Sequence, residues 1–185
     1  MITQARPQAS ELPTIRQLRL LPLRALVGLA ARCVRRARNR YTAGRIDCGD
    51  AVDDTIQAAF SFSQGEATSV PWREVKRAVL YASNADAESV AIAAEHLASA
   101  VANALIVDDQ PSRAGQVLHQ VAQTIEAAYD ACFDEEFVDA ARDEFFRLKK
   151  LSKQHRFPRV GPELDATSNG PLGPEWPIWD TRALL

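Results

Sequence analysis

The first forty-five residues contain no lysine and a single acid, Glu11, while ten arginines fall among them. The absence of lysine rules out an ordinary mixed-charge helix surface there and leaves a cationic stretch made only of guanidinium groups. Aromatic residues are scarce, at 7% of the chain, and much of the 46% hydrophobic content is alanine, which argues against a β-sandwich and for closely spaced helices. The three cysteines (Cys33, Cys48 and Cys132) are odd in number and widely spaced, which excludes a disulfide framework and reads as a reducing, cytoplasmic setting. The longest apolar runs, such as Ala25 to Ala31 and Ala100 to Val107, fall well short of the roughly twenty residues a membrane-spanning helix needs. Arginines interrupt the early leucines throughout, unlike the clean apolar core of a secretory signal.

Chemistry-bearing motifs are equally sparse. The glycines are isolated until the C-terminal tail, so no glycine-rich phosphate loop forms, and neither a Gly-x-Ser-x-Gly turn nor a His-Glu-x-x-His pair occurs. Neither His96 nor His119 has a glutamate three residues before it, as a helical di-iron site would require. Asp47, Asp50, Asp53 and Asp54 lack the alternation and glycine of a calcium loop and are better read as helix-capping residues. Cys132 falls on an apolar face, where thiols are inert. The expectation is therefore a protein that is not an enzyme, with no cofactor and no metal.

What the chain does have is a charge dipole. Nineteen acids oppose five bases between residues 46 and 145, and seven bases oppose four acids in the last forty residues, so the net charge of −2 conceals a cationic start and an acidic middle. At 185 residues the chain suits one hydrophobic core.

Apolar spacing of three and four predicts six or seven helices. A first starts near Pro13 or Thr14, with Ile15, Leu18 and Leu21 on one face. Pro22 then opens a second or kinks a longer one, with Leu23, Leu26, Val27, Ala30, Cys33, Val34, Ala37 and Tyr41 inward. A third buries Val52, Ile56, Ala59, Phe60 and Ser63 and ends at Gly65; a fourth begins near Pro71 and presents Trp72, Val75, Val79 and Ala82. A fifth, in which ten of the twenty-three residues from Ala82 to Ala104 are alanine, carries a Val90, Ala94, Leu97, Val101, Leu105 stripe and is expected to be central. Ser112 caps a sixth bearing Val117 to Cys132, and Asp134 starts a seventh with Phe137, Ala141, Phe145 and Leu148 inward. The layout is a single all-α bundle: a flexible leader over residues 1–12, a helical domain over 13–155, and an extended tail of prolines, glycines and tryptophans over 156–185 that packs on the domain.

Two candidate partner-binding features emerge. Arg24, Arg32, Arg35, Arg36 and Arg40 lie mostly away from the leucine and valine stripe and form a cationic face that can grip phosphates, or that pairs with the acidic remainder of the same bundle. Trp176 and Trp179, held by prolines, make a stiff apolar strip that docks either on this chain or on another.

The succession Leu-Ala-Ala-Arg-Cys-Val-Arg-Arg (29–36), then Ala-Val-Asp-Asp-Thr-Ile-Gln-Ala-Ala-Phe (51–60) with Gly65-Glu66-Ala67 after it, resembles the α-helical immunity proteins found beside bacterial polymorphic toxins, over roughly residues 23–130. The resemblance implies a non-enzymatic helical domain that binds another protein, and it carries no functional residue onto a position here. The leading expectation is thus a protein-interaction module, immunity-like, that neutralises a partner protein. Its alternative is a nucleic-acid-associated protein using the arginine helix, and a third class is attachment to a membrane surface through residues 14–41, which needs the apolar stripe exposed.

Overall fold

The computed structural model describes residues 12–40, 49–82, 85–152 and 160–164. Among the described residues the structure is all α, as expected, with seven α-helices: α1 (Ile15–Leu18), α2 (Leu23–Arg40), α3 (Gly49–Gln64), α4 (Trp72–Leu80), α5 (Ala85–Leu105), α6 (Ala114–Cys132) and α7 (Glu135–Ser152), with a 3-10 turn at Pro111–Arg113. The expected leader, apart from Leu12, lies outside the described residues, as do Tyr41, Asp47, Cys48 and the tail tryptophans Trp176 and Trp179. Leu12 itself is buried.

Local chemistry sets the helix ends. The Thr14 hydroxyl accepts from the Gln17 amide while the Gln17 side chain accepts from the Thr14 amide, a reciprocal cap for the single turn of α1. Pro22 separates α1 from α2, and its carbonyl accepts the first helical bond of α2, from the Leu26 amide. Gly65 stops α3 with φ +81°, a left-handed conformation that glycine adopts without penalty. Asp134 Oδ1 accepts from the Phe137 amide and so caps α7, next to Glu135 and Glu136 in its first turn.

Helix α5 makes its largest interface with α6. Ala87, Ala91, Ala94, Ala98 and Ala104 are all buried along it, and side chains this small let neighbouring backbones approach closely. Yet the most enclosed helix is α2, which α3, α5, α6 and α7 surround. Every residue from Ala25 through Val34 is buried, and Leu23, Leu26, Leu29 and Val34 are at 0% exposure. Burial of each such leucine contributes about 1.5–3 kcal/mol. The alanine helix α5 is central as expected, packing on α2, α3, α4 and α6, and the arginine-rich α2 shares the interior with it because its long side chains have acids, a carbonyl and a ring to meet.

Three expected inward positions face outward. Ile15, Trp72 and Leu105 are exposed. In α4 the inner face is Val75 and Ala78, three residues apart, so Trp72 falls at the free end of a nine-residue helix and Val79 is only partly covered. Leu105 and Ile15 likewise sit at helix ends, where the stripe runs past the neighbouring helix.

Residues 160–164 run between the start of α2 and the end of α3. The Arg24 amide, a donor with no partner inside its own helix, donates to the Val160 carbonyl, and the Leu164 amide donates to the Ser63 carbonyl. Leu164 is buried, and Gly161, at φ +86°, lies so near Pro22 that a Cβ there would collide with the proline ring. This part of the expected tail is therefore packed on the helices.

Candidate interaction surface

The arginine face of α2 is turned into helix seams. Arg32, buried, donates through Nη1 to Glu144 Oε1 of α7 at 2.5 Å, and Glu144 is 1% exposed. One turn on, the buried Arg36 guanidinium lies 3.5 Å from Glu136 and 3.8 Å from Asp134. Arg35 stacks its guanidinium 4.6 Å over the ring of Phe60 on α3, and Arg38 pairs with Asp53 of α3 at 3.1 Å. Arg24 Nη1 donates to the Gly161 carbonyl at 3.0 Å. Arg40 ends the helix, and its side chain lies outside the described residues.

Of the five candidate arginines, Arg24, Arg32, Arg35 and Arg36 thus have partners within the fold: acids of α7 and its cap for Arg32 and Arg36, a carbonyl for Arg24 and an aromatic ring for Arg35. At Arg32 and Arg36 the paired alternative holds, each being only 5% exposed because α7 and its cap lay their acids over them. The planar fork of arginine suits such buried pairing, and its methylene stem adds apolar contact within the seam. The apolar stripe of α2 is buried too, so the exposure that membrane-surface attachment requires is missing. No described helix is long and apolar enough to cross a membrane.

The same seam holds Cys33, a buried thiol on α2, with Cys132 of α6 also buried, and neither forms a disulfide. Burial pushes the Cys33 thiol well above its ordinary value; Glu144 and Cys132 add to the shift, while Arg36 and Arg32 oppose it. A thiol kept protonated is a poor nucleophile. Of the histidines, His96 Nδ1 lies 3.1 Å from the Gln120 side chain of α6, and His119 is exposed.

The outer surface has the opposite character. From Gly49 to Asp143 exposed acids outnumber exposed bases along α3 to α7. Between the first turns of α3 and the helix α4 lies an open groove of about 440 Å³, lined by Asp50, Ala51, Asp54, Glu74, Arg77, Ala78 and Tyr81. Ala51 and Ala78 make its floor; Tyr81 and the adjoining Leu80 are 71% and 78% exposed. No hydrogen bond or ion pair engages the side chains of Asp50, Asp54, Glu74 or Arg77 among the described residues.

Sequence reasoning found Asp50 and Asp54 but gave them to helix capping, and it missed Glu74, Arg77, Leu80 and Tyr81. The signal was present: Leu80 and Tyr81 are large apolar residues lying off the Val75 and Ala78 face. No family model, curated protein or solved structure matches the chain.

Proposed function

We propose that this protein is a non-enzymatic helical interaction module, immunity-like in acting by covering the surface of a partner protein, and that its binding surface is the acidic outside of α3 to α7. The observation that carries this reading is the inward commitment of Arg32 and Arg36 to Glu144, Glu136 and Asp134, which leaves carboxylates as the prevailing outward charge. A protein partner with a basic surface fits such a face, since complementary charge steers encounter and penalises wrong partners. Nucleic acid, the alternative, fits poorly, because a phosphate backbone would meet carboxylates rather than guanidinium groups. A cytoplasmic location belongs to the same proposal.

The test is recovery of the tagged protein from its native cells with and without nuclease, analysed for protein and nucleic acid. A stoichiometric protein partner that survives nuclease, and whose association slows as salt rises, is the expected result. Recovery of nucleic acid alone, or of proteins that nuclease releases, would overturn the reading.

A further inference from the structure

Helix α4 is held to the bundle mainly by Val75 and Ala78, yet its last turn leads into two large apolar side chains, Leu80 and Tyr81, that face solvent beside the α3–α4 groove. Leaving both uncovered forfeits the apolar burial that either would gain against a partner surface. On the rim, Asp50, Asp54 and Glu74 share the groove with a single cation, Arg77, and form no ion pair among the described residues. This contrasts with Arg32, Arg36 and Arg38 of α2, each of which has an acid partner. An apolar floor with a net negative rim selects its occupant twice, by shape and by charge.

The geometry points to this groove as the docking site for a basic segment of a partner protein, one that seats an apolar side chain against Ala51, Ala78 and Tyr81 and sets lysines or arginines beside Asp50, Asp54 and Glu74. The assignment rests on the interaction-module reading above and names the partner's chemistry. A second copy of this chain is the poorer occupant, because a two-fold contact through the groove would bring the same carboxylates face to face. The groove volume accommodates one or two apolar anchors, and a small central anchor ringed by polar pairs is how a compact interface concentrates its affinity.

The probe is a synthetic helical peptide with two leucines one turn apart flanked by lysines, titrated into the isotope-labelled full chain, against the same peptide with every lysine replaced by glutamate. The lysine peptide is expected to shift the amide signals of Ala51, Ala78 and Tyr81. Its affinity should fall at least tenfold in the Asp54→Lys/Glu74→Lys variant, and should fall with salt. A Leu80→Ser/Tyr81→Ser variant should weaken binding while leaving its salt dependence in place. Equal binding of the glutamate peptide, shifts spread over the whole acidic surface, or affinity unchanged in both variants would overturn the proposal. Self-association abolished by the same charge reversal would assign the groove to a second copy and also overturn it.

Both exposed-residue variants are checked for an unchanged urea midpoint, so loss of binding cannot be loss of fold. In recovery from native cells, a protein partner retained by wild type and lost by the charge-reversed variant supports the groove. A partner retained by both overturns the groove while the module reading stands. A wild-type protein that retains no protein at all defeats the module reading, and the groove falls with it.

Discussion

The seam between α2 and α7 and the groove between α3 and α4 contain the same residue types and treat them in opposite ways. In the seam, Arg32 and Glu144 are both almost wholly removed from water and meet at 2.5 Å; in the groove, Asp50, Asp54, Glu74 and Arg77 stay in solvent without an ion pair among the described residues. A charge that folding pulls from water must be matched at once, since an unmatched buried ion costs several kcal/mol. A charge left in water carries no such requirement and stays available to another molecule. Density of charge in this sequence therefore does not mark a binding surface: in the arginine run of α2, Arg32 and Arg36 are buried against acids.

The largest expected effect breaks the seam from one side. Replacing Arg32 by alanine leaves Glu144 buried without its counter-ion and should destabilise the fold by about 3–5 kcal/mol in urea unfolding. A change under about 1 kcal/mol would mean that α7 leaves the seam open to water.

The next concerns the thiol within that seam. The folded protein holds the Cys33 proton above its ordinary pKa, so the native state binds more protons than the unfolded chain once pH passes the ordinary thiol value of 9.0. The stabilisation is fully present below that pH and is lost as pH rises through the raised folded value, with a slope of about 1.4 kcal/mol per pH unit. Comparing wild type with Cys33→Ala from about pH 8 to about pH 10.5 isolates it; parallel curves would contradict the burial. In native conditions near neutral pH the thiol should also resist alkylation.

A smaller effect is expected at the edge of the arginine helix, where Arg38 meets an Asp53 that is 55% exposed. Asp53→Asn should cost about 0–1 kcal/mol and lose that cost in high salt. The smallest belongs to the groove: Glu74→Gln and Asp54→Asn should leave stability within about 0.5 kcal/mol, as exposed positions without partners do. A loss as large as the one at Arg32 would erase the contrast between the two regions.

Much of the fold was legible from residue spacing. The Phe137, Ala141, Phe145, Leu148 stripe of α7 and the Val52, Ile56, Ala59, Phe60 stripe of α3 are buried as their periodicity required. The limits set by Pro22, Gly65 and Asp134 were legible too, because their conformational or capping chemistry is local. What was not legible is which face of a two-sided helix meets a neighbour. The arginines of α2 were readable as a polar face, but whether that face meets water or α7 depends on acids about a hundred residues away. One clue was available: Glu144 stands three residues after Ala141 and four before Leu148, inside an apolar stripe, and an acid there implies a buried cation opposite. The groove was hidden for another reason. It arises from the crossing of α3 and α4, and only the off-face pair Leu80 and Tyr81 hinted at it.

That the arginine helix spends its charge inside the fold is tested most sharply by a double-mutant cycle in urea on Arg32→Met and Glu144→Leu. Each single change should destabilise strongly by stranding its partner, while the double change, which replaces the pair with apolar side chains of comparable size, should return close to wild-type stability, giving a coupling of at least about 2 kcal/mol. Additive losses would mean that the two residues do not hold each other, and would contradict the placement of the arginine charge within the seam.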